Sequence, residues 1–190
     1  MQKTQLLEQL KQYQAKQDIY CNKTHQVMSF VKANDNCFER ENLEGHITGS
    51  AWLLNHTGDK ALLTLHRKLG MWIQLGGHAD GESNILKVAL QEAKEESGIE
   101  DIKILSQDIF HIDVHLVPKF KEIPAHYHYD IRYLLQVKTD KPFVVSDESI
   151  DLKWFSLDDF KSLGCNHSVE SMVKKWQEWE MQTNQSAVTD

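Results

Sequence analysis

Cysteine is scarce in this chain. Cys21, Cys37 and Cys165 are odd in number, far apart, and lack the spacing of a thiolate zinc site or a redox pair. No disulfide framework is written here, and reduced, mostly structural thiols are expected. Long apolar runs are missing too, so no segment is expected to span a bilayer. The opening stretch MQKTQLLEQLKQYQAKQ lacks the apolar core of a secretory signal, which makes a cytoplasmic location the expectation. Positive charge is in deficit: 21 Lys and Arg stand against 28 Asp and Glu, a net charge of −7 with a pI near 5.8. That balance argues against a general nucleic-acid or anionic-membrane binder. It still admits a phosphate substrate, because a divalent cation reverses the local field of an acidic site. Proline- or glycine-rich linkers and internal repeats are absent as well.

What is present fits one domain with a sizeable core: 190 residues, 41% hydrophobic and 26% charged. Residues 1–44 read as a helical extension. Leu6, Leu7, Leu10 and Tyr13 fall at helical spacing, and Val27, Phe30 and Val31 repeat the pattern over 24–32. With no linker after it, this extension is expected to pack on the main domain, 45–182. There, 47–55 and 61–67 read as strands joined by a turn at 56–59, followed by a glycine loop at 76–81 and a helix over 84–97. Strand candidates follow at 102–117 (interrupted), 127–137 and 152–155, then helices from about 156 and over 169–179. Residues 183–190 form a polar tail expected to fray. The irregular mixture predicts an α+β or α/β/α sandwich fold rather than regular βαβ units.

The chemistry concentrates in GGHADGESNILKVALQEAKEESGI, Gly76 to Ile99. Glu92, Glu95 and Glu96 stand at i, i+3 and i+4 and share one helix face. Leu86, Leu90, Ala93 and Ser97 form a separate stripe suited to packing on a sheet. Three adjacent like charges weaken a helix unless a counter-charge sits among them, and Lys94 points elsewhere. A hard divalent cation with oxygen ligands would satisfy them. Taken alone, the acidic face reads as ordinary solvated helix surface. Gly76 and Gly77 shift the balance, since glycine permits close backbone approach and leaves carbonyls free for a metal. Gly98 supplies a left-handed helix end.

This stretch resembles the Nudix box, G-x5-E-x7-R-E-U-x-E-E-x-G-U with U aliphatic. Aligned on its right half, the chain presents Gly77, Ser83, Gln91, Glu92, Ala93, Glu95, Glu96, Gly98 and Ile99. The strand 61–67, the run 72–77 and the segment 152–160 resemble the flanking elements in order, so the likeness spans about 45 to 163. The expected architecture is therefore the Nudix fold, a mixed sheet with an N-terminal helical extension. Two positions depart from the pattern: Ser83 replaces a glutamate and Gln91 an arginine. Glu82, one residue early, is a candidate substitute. Losing the acid and the base together strands neither charge, which fits a paired replacement.

The resemblance implies Mg2+ (or Mn2+) held by Glu92 and Glu96, with Glu95 assisting and the Gly76 carbonyl completing the shell. A helix glutamate, Glu95, or one from a later loop, Glu148, would act as the general base; a turn carboxylate is an equal reading of Glu148. Arg67, Trp72, His78, His126, His128 and Arg132 are substrate-binding candidates, with a structural ion pair at least as strong a reading for each arginine. His126, His128 and Asp130 alternate along one strand, and His111, Asp113 and His115 along the one before. Each set suggests a metal, though substrate contact or polar packing weighs more. Tyr133, Leu135, Trp154, Trp176 and Trp179 read as core.

The expected function is cleavage of a pyrophosphate bond in a nucleoside diphosphate linked to another moiety. A non-catalytic nucleotide sensor and a diphosphate isomerase are the alternatives. Three retained glutamates count against the first, and the lack of a matching catalytic cysteine against the second. A small-molecule diphosphate is the expected partner, with no nucleic acid and no membrane; a homodimer is left open. The stretch beyond the box carries neither the proline of typical ADP-ribose hydrolases nor the tyrosine of dinucleoside-polyphosphate ones, so no substrate is singled out.

Overall fold

The computed structural model describes residues 2–16 and 22–187. Cys21 lies outside the described residues; Cys37 is buried, Cys165 half-buried, and both are free thiols.

In chain order the elements are α1 (Gln2–Ala15), α2 (Asn22–Ala33), β1 (Gly45–Leu54), β2 (Lys60–His66), β3 (Trp72–Ile73), β4 (Leu75–His78), α3 (Ile85–Ser97), β5 (Ile102–Ile104), β6 (His111–Val117), β7 (His126–Val137), β8 (Ser149–Ser156), α4 (Leu157–Leu163) and α5 (His167–Ala187). Eight strands make one mixed sheet in which β1 and β7 pair in parallel along their length, from Gly45↔Tyr127 to Leu54↔Gln136. The other edge of β1 is shared. Thr48–Ala51 pair with β4, while Leu53 and Leu54 pair with β2, so the sheet forks beside Trp52. The far edge of β7 divides likewise between β6 and β5.

Alternation along the strands separates two faces. Ile47, Ile131 and Tyr133 join Leu6, Leu10, Val27, Phe30, Val31, Ile85, Val88 and Ala89 in one apolar cluster, so α1, α2 and α3 cover the same face. Ala51, Leu53, Leu62, Leu135 and Leu152 extend that face under Ala93. On the reverse, Trp52, Leu54, Leu63, Leu134 and Phe155 pack against Phe160, Val169, Met172 and Trp176 of α4 and α5. The result is a helix–sheet–helix sandwich. Ser156 caps α4 through a reciprocal pair with Asp159.

Two boundaries differ from expectation. The glycine pair belongs to strand β4 rather than to a loop, because Gly76 lies flat against Ser50; a Cβ there would come 2.7 Å from the Ser50 Cα. Helix α5 continues to Ala187, past Thr183 where the frayed tail was expected to begin.

Candidate functional site

The end residues of α3 fix its phase. Asn84 caps the start, its side chain accepting from the Lys87 N–H at 3.2 Å. Gly98 ends the helix at φ 67°, donating to the Lys94 carbonyl at 2.8 Å. Against the sheet the helix comes in close, since a Cβ on Gly49 would touch Ile85 and Val88 at 3.0 Å. With that phase, Glu92 and Glu96 lie one turn apart and face β4. Glu96 accepts the Gly76 N–H at 2.8 Å. A Cβ on Gly77 would sit 2.5 Å from the Glu92 carboxyl carbon, so only glycine leaves the carboxylate its place.

Both carboxylates are shielded from water and close to like charge. Glu96 is raised to about 8, by burial and by Glu92 and Glu148, with the Gly76 N–H opposing. Glu92 is raised to about 7, by burial and then by Glu95, Glu148 and Asp80, with Arg40 opposing. Glu95 is exposed and accepts from the Gln91 side chain at 2.8 Å. Glu148, from the loop before β8, shares this field. Its loop is clamped by Arg67, whose guanidinium donates to the Asp147 carbonyl at 2.9 Å and the Ser149 carbonyl at 2.8 Å. The Arg67 backbone N–H donates to the Glu148 carbonyl at 3.0 Å. Carboxylates gathered around a glycine cradle are a donor set that suits a hard divalent cation.

Glu82 does not join this cluster. It accepts from the Asn84 N–H at 2.9 Å and from the Lys87 ammonium at 2.6 Å, so its carboxylate serves the start of α3 instead. The acid felt by Glu92 from that loop is Asp80, a non-glycine residue held at φ 46° and paired in two-pronged fashion with Arg40. The sequence reading missed both. Arg40 lies outside the box and Asp80 at a position the box pattern leaves unassigned, so only the fold brings them to Glu92.

The remaining candidates lie on the reverse face of the sheet or along its edges. Arg132 is a correction. It has no exposed surface, and its guanidinium engages Asp130, Asp113 and Ser168, so it is a structural ion pair rather than a phosphate ligand. Asp130 also accepts from Thr48, Ser50 and Gln74. Burial alone would raise Asp113, yet His115, Arg132, Lys23 and Ser168 hold it well below the usual carboxylate range. His111 is lowered to about 3 by burial and by Arg132. Trp72 is half-buried with its ring edge-on to Phe155, centroids 5.0 Å apart. His78, His126 and His128 gather with His46, a residue that showed no alternation or motif in the sequence. Burial lowers His46 to about 4 and His128 to about 2, and lowers His78 as well.

A mixed, forked sheet between two helix layers thus carries clustered carboxylates on a glycine-flanked helix. The family model described as NUDIX domain matches residues 44–176, and the chain belongs to the Nudix family of hydrolases. No curated protein matches the sequence. Among solved structures, a C. elegans Ap4A hydrolase binary complex is 18% identical, with a TM-score of 0.57 over 72% of this chain and 98% of that one. A NUDIX family hydrolase from Clostridium perfringens is 22% identical, with a TM-score of 0.55 over 70% and 97%. A MutT protein from Methanosarcina mazei Go1 is 17% identical, with a TM-score of 0.54 over 72% and 95%. At these identities the likeness is one of fold.

Proposed function

We propose that the chain hydrolyses a pyrophosphate linkage in a nucleoside diphosphate joined to another moiety, with Mg2+ or Mn2+ as cofactor. The observation that carries this reading is the convergence of Glu92 and Glu96 on the Gly76–Gly77 backbone. Glu92 and Glu96 would hold the cation, with Glu95 and the Gly76 carbonyl completing its shell. A bound divalent cation would supply positive charge against the diphosphate oxygens and acidify a water molecule. Glu148, steadied by Arg67, accepts the proton of the water that attacks phosphorus. The bridging P–O bond breaks, giving a monophosphate and a phosphorylated product. Glu95, oriented by Gln91, is the second candidate for that proton.

The test is a magnesium-dependent screen of nucleotide sugars, dinucleotides, ADP-ribose and nucleoside triphosphates, with Glu96→Gln as control. Turnover lost in Glu96→Gln supports the assignment, and full activity in that variant sinks it. Tight binding without cleavage of any diphosphate would instead make the chain a nucleotide sensor. The departures at Ser83 and Gln91 are the observations that favour that second reading.

A further inference from the structure

The reverse face of the sheet carries a histidine cluster that hydrolysis at α3 does not use. His46 on β1, His78 on β4 and His128 on β7 each turn a ring nitrogen inward, and the three nitrogens lie within 4.8 Å of one another. Their ring centroids are 4.8 to 5.1 Å apart, at interplanar angles from 51° to 86°. The rings therefore meet at an angle rather than stacking flat. Position follows from register: His46 pairs with His128 across the parallel ladder, and His78 pairs with Thr48 two residues along β1.

Packing alone explains this cluster poorly. His46 is only 3% exposed, and the Nε2 atoms of His46 and His128 are buried without a hydrogen-bond partner in the protein. A buried polar atom left unpaired is destabilising, and a valine or isoleucine would fill a strand position without that penalty. The Nδ1 of His46 faces the Asn42 carbonyl at 3.5 Å, which favours a proton there and leaves Nε2 with its lone pair. His126 closes the side of the cluster, its own Nδ1 directed at the Pro124 carbonyl at 2.9 Å.

We propose that His46, His78 and His128 form a second cation site, selective for a divalent ion of the zinc class. Imidazole nitrogens suit Zn2+ and the later first-row ions, whereas Mg2+ prefers oxygen, so the two sites sort their ions by ligand chemistry. Zinc–nitrogen bonds of about 2.0–2.1 Å place tetrahedral ligand atoms roughly 3.4 Å apart. From separations within 4.8 Å, the three nitrogens would close on the ion by ring rotation. Three protein ligands leave a fourth position for water or a further side chain. The site joins three neighbouring strands. One of them, β4, carries the Gly76–Gly77 cradle, so occupancy also steadies the strand on which Glu92 and Glu96 lean.

The experiment uses the full chain stripped with EDTA and titrated with Co2+ and Zn2+, in wild type, in Glu92→Gln/Glu96→Gln, and in His46→Gln and His128→Gln. One equivalent of Co2+ is expected to give visible d–d absorption that survives in the glutamate variant and is lost in each histidine variant. One equivalent of Zn2+ is expected to raise Tm by roughly 2–8 °C in the first two proteins and by clearly less in the histidine variants. X-ray absorption of wild type with one equivalent of Zn2+ needs no variant, and should show three imidazole nitrogens at about 2.0–2.1 Å. An all-oxygen first shell, absence of the bands in wild type, or bands lost in the glutamate variant and kept in the histidine variants would overturn the site. None of these readouts needs a substrate, so the outcome is independent of the hydrolase reading.

Discussion

Glu96 is 8% exposed and lies close to the charges of Glu92 and Glu148, a setting in which, against the opposing Gly76 N–H, a carboxyl keeps its proton unless a cation replaces it. This gives a pH signature. In the unfolded chain, glutamates ionise near pH 4.3, whereas in the folded chain Glu92 and Glu96 hold protons to about 7 and 8. Between those limits the folded state binds more protons, so stability falls as pH rises. With EDTA present, Tm should decline from about pH 5 to pH 8, and Glu96→Gln should flatten part of that decline. An unchanged slope in the variant would contradict the shift. Binding of Mg2+ should displace these protons, so its affinity should strengthen with pH over the same window. Calorimetry in buffers of different ionisation enthalpy measures that release. Gln91 is a gentler case: its side chain orients Glu95, and Gln91→Ala should lower kcat about tenfold or less while leaving Mg2+ affinity near wild type. Gln91→Arg with strongly improved turnover would instead show that the box has decayed.

Strand β4 decides more than its four residues suggest. At Gly76 an added Cβ meets the Ser50 backbone, which cannot move without opening the β1–β4 ladder. Gly76→Ala should therefore cost about 1–3 kcal/mol of stability, read from denaturant unfolding. At Gly77 the obstacle is the far end of the Glu92 side chain. Gly77→Ala should fold near normally yet bind Mg2+ more weakly, because the carboxylate is pushed out of place. Equal effects in the two variants would undo that distinction. The helix α3 itself was legible. Its Gly98 end follows from the left-handed conformation open to glycine, and the shared face of Glu92 and Glu96 follows from helical spacing; the Asn84 cap is a finding of the structure. The strand character of Gly76–Gly77 was not, since glycine carries no strand propensity of its own and is placed there only by its neighbour on β1.

For the molecule as a whole, α1 and α2 are part of the same apolar layer as α3. Val27, Phe30 and Val31 share a cluster with Ile47, Ile131 and Tyr133 of the sheet and with Ile85 of the α3 helix. Removing residues 1–33 would expose that layer, so the shortened chain should lose cooperative melting or aggregate, and should bind a hydrophobic dye. A truncated protein with unchanged Tm would show that the extension is separable. No helix among the described residues is long and apolar enough to cross a membrane.

Local rules acting over one or two turns were enough to place the acidic helix, its Gly98 end, most strands and the mixed α/β layering, because hydrophobic period and helix-ending glycine are written in adjacent residues. The resemblance of the Gly76–Ile99 stretch to the Nudix box was readable for the same reason. Contacts between distant segments were not. Arg40 with Asp80 and Arg67 with the Glu148 loop depend on where distant turns meet, and Arg132 buried between Asp113 and Asp130, like His46 beside His78 and His128, depends on sheet register. Register is a property of paired strands, and a shift of one residue would turn Arg132, Asp113, Asp130 and the three imidazoles to the opposite face. Sequence alone thus determined which helix carries the carboxylates. Tertiary structure decided which charges and which imidazoles share space with one another.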